Sequence, residues 1–201
     1  MYTLYSSRES GNSYKPRLIM ALLGIPYRAV EVSPLDGTTR KPDFLARNPN
    51  GKVPVLEFED GRFLAESNAM LVYLSENSPF FPKERYKRGK VMEWLFFEQY
   101  SHEPNIAVRQ ALSIYPERRH QATPERMQQL LEGGNRALAV MEQRLTHHPY
   151  LVGDRYTIAD IALYAYTHQA DQGGFDLGRY PAIRQWLSRV STNPDHVAIN
   201  D

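Results

Sequence analysis

A chain of 201 residues, 42% of them hydrophobic, is long enough for one large domain or two small ones and too apolar for disorder. Its 24 Lys and Arg nearly balance 23 Asp and Glu, and a formal net charge of +1 argues against nucleic-acid binding or a strongly steered polyanion site. The absence of Cys excludes a protein thiol nucleophile, a CxxC pair, an iron–sulfur cluster and thiolate zinc, and leaves a reducing cytosol as the default compartment.

In chain order, Tyr2–Tyr5 reads as a short interior strand. Ser13–Leu23 carries Leu18, Ala21 and Leu22 at helical spacing, with Gly24 as its stop and Pro16 in its first turn. Tyr27–Val32 is a second strand, residues 33–41 a polar loop, and Asp43–Ala46 one or two helical turns. Asn48-Pro49-Asn50-Gly51 is a cluster of turn formers ahead of a strand over Val53–Phe58. Asp60-Gly61 predicts a hairpin to Phe63-Leu64, and Glu66–Glu76 a helix. The order βαβαββα implies a mixed sheet with helices on its faces.

Two prolines in residues 77–84 break the pattern, and strand signals stop there. The expected organisation is a domain over 1–76, a linker over 77–84 and an all-helical domain over 85–201. Arg85–Tyr115 reads as one long helix bent near Pro104. Thr123-Pro124-Glu125 starts a helix whose apolar stripe runs from Met127 to Leu145. Thr157–His168 is apolar nearly all round, a buried central helix, and Pro181–Val190 is a final amphipathic one. Thr157 and Asp160 have capping-box spacing, so loss of Asp160 should cost stability before chemistry. The six His show no metal-ligand spacing, and no metal is expected. No signal-peptide pattern opens the chain, and its apolar runs fall far short of the roughly 20 residues that span a bilayer. A cytoplasmic protein with no membrane or nucleic-acid partner is expected.

Four segments then stand out: LYSSRESGNSYKPRL at 4–18, NPNGKVPVLE at 48–57, AESNAMLVYL at 65–74 and YLVGDRYTIADIAL at 150–163. In this order and at these separations the chain resembles the cytosolic glutathione transferase superfamily. FFEQYSHEPNIAV at 96–108 looks like many bacterial members, the type with serine or asparagine near the thiol site. The resemblance implies a thioredoxin-like N-terminal domain, an all-α helical bundle, glutathione as co-substrate and a two-fold homodimer. It also implies a cis Val53-Pro54 bond, with the Val53 backbone pairing with the cysteinyl part of glutathione. Glu66 and Ser67 would hold the γ-glutamyl ammonium and carboxylate. Lys52 and Arg40 would meet the glycyl carboxylate, although both also read as solvated loop charge.

Ser10 falls where serine and threonine classes place the thiolate-facing hydroxyl, and Asn12 where bacterial members have a functional asparagine. Ser13 and Tyr5 are rival donors, and Ser10 and Asn12 also read as turn and cap residues. Pro16 stands where the family usually has valine. Tyr100, His102, Asn105 and Arg109 are candidates for an electrophile pocket between the domains. The expected function is activation of the glutathione thiol for addition to a small hydrophobic electrophile. Alternatives are glutathione-dependent reduction of a disulfide or hydroperoxide using only cofactor thiols, and a noncatalytic dimerisation or interaction module.

Overall fold

A computed structural model describes all 201 residues. They form two compact units, one of Met1–Ser78 with Pro194–Asp201 and one of Pro79–Asn193. The first contains β1 (Tyr2–Ser6), α1 (Gly11–Leu22), β2 (Tyr27–Glu31), α2 (Pro42–Leu45), β3 (Val55–Glu57), β4 (Phe63–Ala65) and α3 (Ser67–Leu74). Its four strands lie in the order β2-β1-β3-β4. The β1–β2 pair is parallel, which requires a crossover, and α1 supplies it. The β3–β4 pair is an antiparallel hairpin closed at Asp60-Gly61, where Gly61 has φ +80°. Leu4, Leu18, Ile19, Leu56, Met70 and Leu71 are buried between this sheet and its helices. This is the thioredoxin-like βαβαββα arrangement that the resemblance implies.

Three boundaries differ from the sequence expectation for physical reasons. The β3 ladder begins at Val55 rather than Val53, because Pro54 has no N–H to give it. Helix α1 begins at Gly11 rather than Ser13, because Ser10 is the cap and its hydroxyl accepts from the Ser13 N–H at 3.3 Å. Pro16 therefore lies beyond the first turn and offers no N–H to the Asn12 carbonyl. The chain end also departs from the expected 85–201 domain. Residues 194–201 belong with the first unit, where the Tyr14 hydroxyl donates to the Val197 carbonyl at 2.6 Å and Arg17 donates to that of Ile199 at 2.8 Å.

The second unit is helical: α4 (Arg85–Phe97), α5 (Glu103–Ile114), α6 (Pro124–Leu145), α7 (Ile158–Thr167) and α8 (Pro181–Ser191). The bend expected near Pro104 is a π-helical turn over Glu98–His102 between α4 and α5. Pro104 has no N–H for the Tyr100 carbonyl, and the Glu103 N–H reaches five residues back to Glu98. Thr123 caps α6 and Pro124 opens it, as the sequence predicts. Ile158, Ala159, Ile161, Ala162, Leu163 and Ala165 are fully buried, so α7 is the unit's central helix. No helix is long and apolar enough to cross a membrane.

Candidate active site

Strand register brings distant segments of the first unit to one edge of the sheet. Tyr5 pairs with Val55 and Val55 with Ala65. Since β1 is antiparallel to β3 and β3 to β4, three segments meet there: the loop after β1, Lys52-Val53-Pro54 before β3, and Glu66-Ser67 after β4. The Val53-Pro54 bond is cis. Asn48, itself buried, steadies the approach: its amide donates to the Lys52 carbonyl at 2.8 Å and accepts from the Asn50 N–H at 3.0 Å.

The four rival thiol-facing donors separate clearly. The Tyr5 hydroxyl donates to Glu57 Oε2 at 2.7 Å, and burial first, then that bond, raises its phenol above the ordinary value. Tyr5 is thus a neutral donor already committed elsewhere. Ser13 is fully buried, with its hydroxyl accepting from the Ser7 N–H at 3.1 Å. Ser10 is half-buried; its oxygen caps α1, and its O–H remains able to donate. Asn12 is half-buried, and its Oδ1 accepts from Lys15 Nζ at 2.9 Å and from the Ser67 hydroxyl at 3.2 Å. An ammonium only donates, so the Asn12 atom it meets must be the amide oxygen.

Lys15 is the site neighbour that sequence reasoning missed. Lysine on a helix beside a loop normally reads as solvated, and only the packing of α1 reveals otherwise. The same bonds change the part of Ser67. Its hydroxyl points at Asn12 and accepts from Lys15 at 3.4 Å, so the groups of α3 left for a carboxylate are its first backbone N–H donors.

Glu66, the residue before α3, has φ +68° and ψ +111°, a conformation that side chains with a Cβ rarely adopt. Such strain costs on the order of 1–3 kcal/mol and persists where the surroundings demand it. Glu66→Gly is therefore expected to melt no lower than the parent. A lower melting temperature would contradict this. Lys52 is exposed beside Val53. Arg40 is exposed and donates to the Asn50 carbonyl at 3.2 Å, so it braces the turn that carries Lys52.

Of the four helical candidates, only Tyr100 and Asn105 are brought together. His102 is 0% exposed, with Nε2 2.8 Å from the Thr167 hydroxyl, and is a core residue. Arg109 donates through Nε to the Gly173 carbonyl at 2.5 Å and through a guanidinium nitrogen to the Met127 carbonyl, tying three segments of the helical unit. Tyr100, 87% exposed, and Asn105 border a shallow hollow with Phe97, Gly133, Arg136 and Val140. The Asn105 amide donates to the Ser101 carbonyl at 2.7 Å. Periodicity placed these residues on one stretch of helix; burial and the π-helical turn distribute them differently. No group of three or more His, Cys, Asp or Glu is placed to hold a metal ion.

A thioredoxin-like sheet edge with an amide and a hydroxyl at the start of α1, followed by a helical bundle, defines a glutathione-transferase-like class of protein. Residues 9–77 match the model of the glutathione S-transferase N-terminal domain, and 101–194 that of the C-terminal domain. The chain belongs to the glutathione S-transferase superfamily, whose members support glutathione-dependent activity. A glutathione S-transferase from Pseudomonas fluorescens Pf-5 is 52% identical with a TM-score of 0.97, over 100% of this chain and 99% of that one. The disulfide-bond oxidoreductase YfcG of Escherichia coli K12 is 28% identical over 91% of this chain and 87% of its own length. The maleylacetoacetate isomerase of Pseudomonas aeruginosa PAO1 is 27% identical over 95% of this chain and 92% of its own.

Proposed function

We propose that the protein is a glutathione transferase that stabilises the glutathione thiolate for addition to a small hydrophobic electrophile. The observation that carries this reading is the meeting, at one end of the sheet, of the Ser10–Asn12 start of α1, the cis Val53-Pro54 bond and the Glu66-Ser67 start of α3, with the Ser67 hydroxyl donating to Asn12 Oδ1 at 3.2 Å. Glutathione would pair with the Val53 backbone, set its γ-glutamyl carboxylate on the first N–H groups of α3 and its ammonium on Glu66, and meet Lys52 with its glycyl end. A free thiol has a pKa of about 8.5, and lowering it by about two units requires roughly 3 kcal/mol of differential stabilisation. Two preorganised donors at an anion are of that order.

The test is the ultraviolet thiolate absorbance of bound glutathione against pH. Asn12→Ala is expected to raise the bound thiol by about one pKa unit and to lower the melting temperature, because the buried Lys15 ammonium and the Ser67 hydroxyl lose an acceptor. Ser10→Ala should raise it and also lose roughly 1 kcal/mol of stability, because it removes a helix cap. Glutathione that fails to bind, or binds with an ordinary thiol, would sink the reading and favour an interaction module.

The similarity to a disulfide-bond oxidoreductase favours a second reading, reduction of a disulfide or hydroperoxide. With no Cys in the chain, every sulfur would come from glutathione. Retention of two glutathione molecules per site would select it. We also propose a homodimer built through the helical unit, where Phe96 and Tyr100 are exposed large apolar residues. Tyr100→Glu should halve the mass measured by light scattering; an unchanged mass in both variant and parent would argue against that surface.

A further inference from the structure

Arg17 is 8% exposed, and its hydrogen bonds go to main-chain oxygens alone. Its Nη2 donates to the Arg8 carbonyl at 2.7 Å and to that of Ile199 at 2.8 Å, while Nη1 reaches the Asp201 main-chain oxygen at 3.3 Å. The buried Nε–H meets no acceptor. The Tyr14 ring, 5.7 Å from the guanidinium carbon, offsets part of the desolvation cost. A buried cation held by neutral oxygens with one donor unmet is still a costly way to fill space. The side chain is better explained by what it joins.

On one side it joins the loop over 7–10, between β1 and α1. The Arg8 carbonyl belongs to the rigid peptide plane that leads through Glu9 to Ser10, so holding that oxygen sets the direction in which the chain reaches Ser10. The rest of the loop is tied at the Arg8 N–H, which donates to Glu31 Oε1 at 3.0 Å, and at the Ser10 N–H, which donates to the Ser7 carbonyl at 3.1 Å. On the other side lies the segment 194–201. The Tyr14 hydroxyl, one turn before Arg17 on α1, donates to the Val197 carbonyl at 2.6 Å, and the Ile199 side chain is buried.

We propose that Arg17 is a positioning residue of the thiol site and that residues 194–201 are its strap: by holding the Arg8 and Ile199 carbonyls on one nitrogen, it fixes the loop that aims the Ser10 hydroxyl at the glutathione sulfur. This inference rests on the glutathione-activating reading above. The effect is one of geometry, because a lysine would keep the charge but lose the planar fork that these oxygens engage.

The experiment is the thiolate titration of bound glutathione in the parent, Arg17→Met, Arg17→Lys, Ile199→Gly, Ser10→Ala and the Arg17→Met, Ser10→Ala double variant, each with a melting temperature. Arg17→Met and Arg17→Lys are both expected to raise the bound thiol by about half a pKa unit. Ile199→Gly, which unseats the strap and leaves every charge in place, should raise it in the same direction. In the Ser10→Ala background Arg17→Met should move it far less, since its route is gone. Should Arg17→Met not fold, Arg17→Lys and Ile199→Gly carry the test. A thiol depressed in the parent and indifferent to the Arg17 and Ile199 variants overturns the inference alone. Full restoration by Arg17→Lys overturns it too, for charge would then be the cause, and so does an equal shift with and without Ser10. A parent that binds glutathione with an ordinary thiol overturns the functional reading, and this inference falls with it.

Discussion

Asp160→Ala is expected to lower the unfolding free energy of the helical unit by about 3–5 kcal/mol, measured by denaturant titration. The carboxylate is fully buried and accepts four hydrogen bonds. Oδ1 takes the Leu151 N–H at 2.9 Å and the Trp186 indole N–H at 3.0 Å, and Oδ2 takes the Thr157 N–H at 2.9 Å and its hydroxyl at 3.1 Å. One side chain thus joins the loop before α7, the cap of α7 and the face of α8. Its removal strands three buried N–H donors, each costing about 1–3 kcal/mol, with some recovered by relaxation.

The same residue carries a pH signature. Burial pushes the Asp160 carboxyl from 3.8 up to about 6, against the four donors, which pull it down. A folded-state value above the unfolded one means that folding takes up a proton between the two. The stabilisation is complete below pH 3.8 and is lost as pH rises through about 6. A shift of about two units corresponds to about 3 kcal/mol. The parent's advantage over Asp160→Asn should therefore shrink by up to that amount between about pH 4 and pH 7. Parallel stability curves for the two proteins across that range would refute the assignment.

Gly134→Ala reverses the usual sign of a helical glycine substitution. In an open helix, Gly→Ala gains roughly 1 kcal/mol. At Gly134 a Cβ would stand 2.3 Å from Phe175 Cε1, 2.4 Å from its Cζ and 3.1 Å from Ile106 Cγ1. Phe175 is 2% exposed and Ile106 0%, so neither ring nor branch has space to retreat. The expected result is a loss of about 3 kcal/mol, at the upper end for overpacking. Gly89→Ala in α4 is the control, because its Cβ would meet nothing within 4 Å and should stabilise by about 0.5–1 kcal/mol. Phe175→Leu in the Gly134→Ala background should recover part of the loss. Two glycine variants that shift stability alike would show that α6 can move away from Phe175.

This close approach also explains Asn105. A Cβ on neighbouring Gly133 would lie 2.1 Å from Asn105 Oδ1, so the asparagine fills the space the glycine leaves. Its position on α5 made it resemble a pocket residue in one dimension. In three it both packs against Gly133 and borders the hollow.

Local chemistry in the sequence accounts for the order of elements, the Asp60-Gly61 hairpin, the Thr123 and Asp160 caps and the buried character of α7. Each depends on residues within about one or two helical turns, and such signals are written contiguously. The motifs at 48–57 and 65–74 likewise place Val53, Glu66 and Ser67 at turns. The tertiary structure alone decided which polar side chains are withdrawn from solvent. Ser13 and His102 are core residues, Tyr5 belongs to Glu57, Ser67 turns to Asn12, and Lys15 is buried under the same amide. It also returned residues 194–201 to the first unit through Tyr14 and Arg17. Burial is set by which faces of distant elements meet, and no periodicity within a segment encodes its partner.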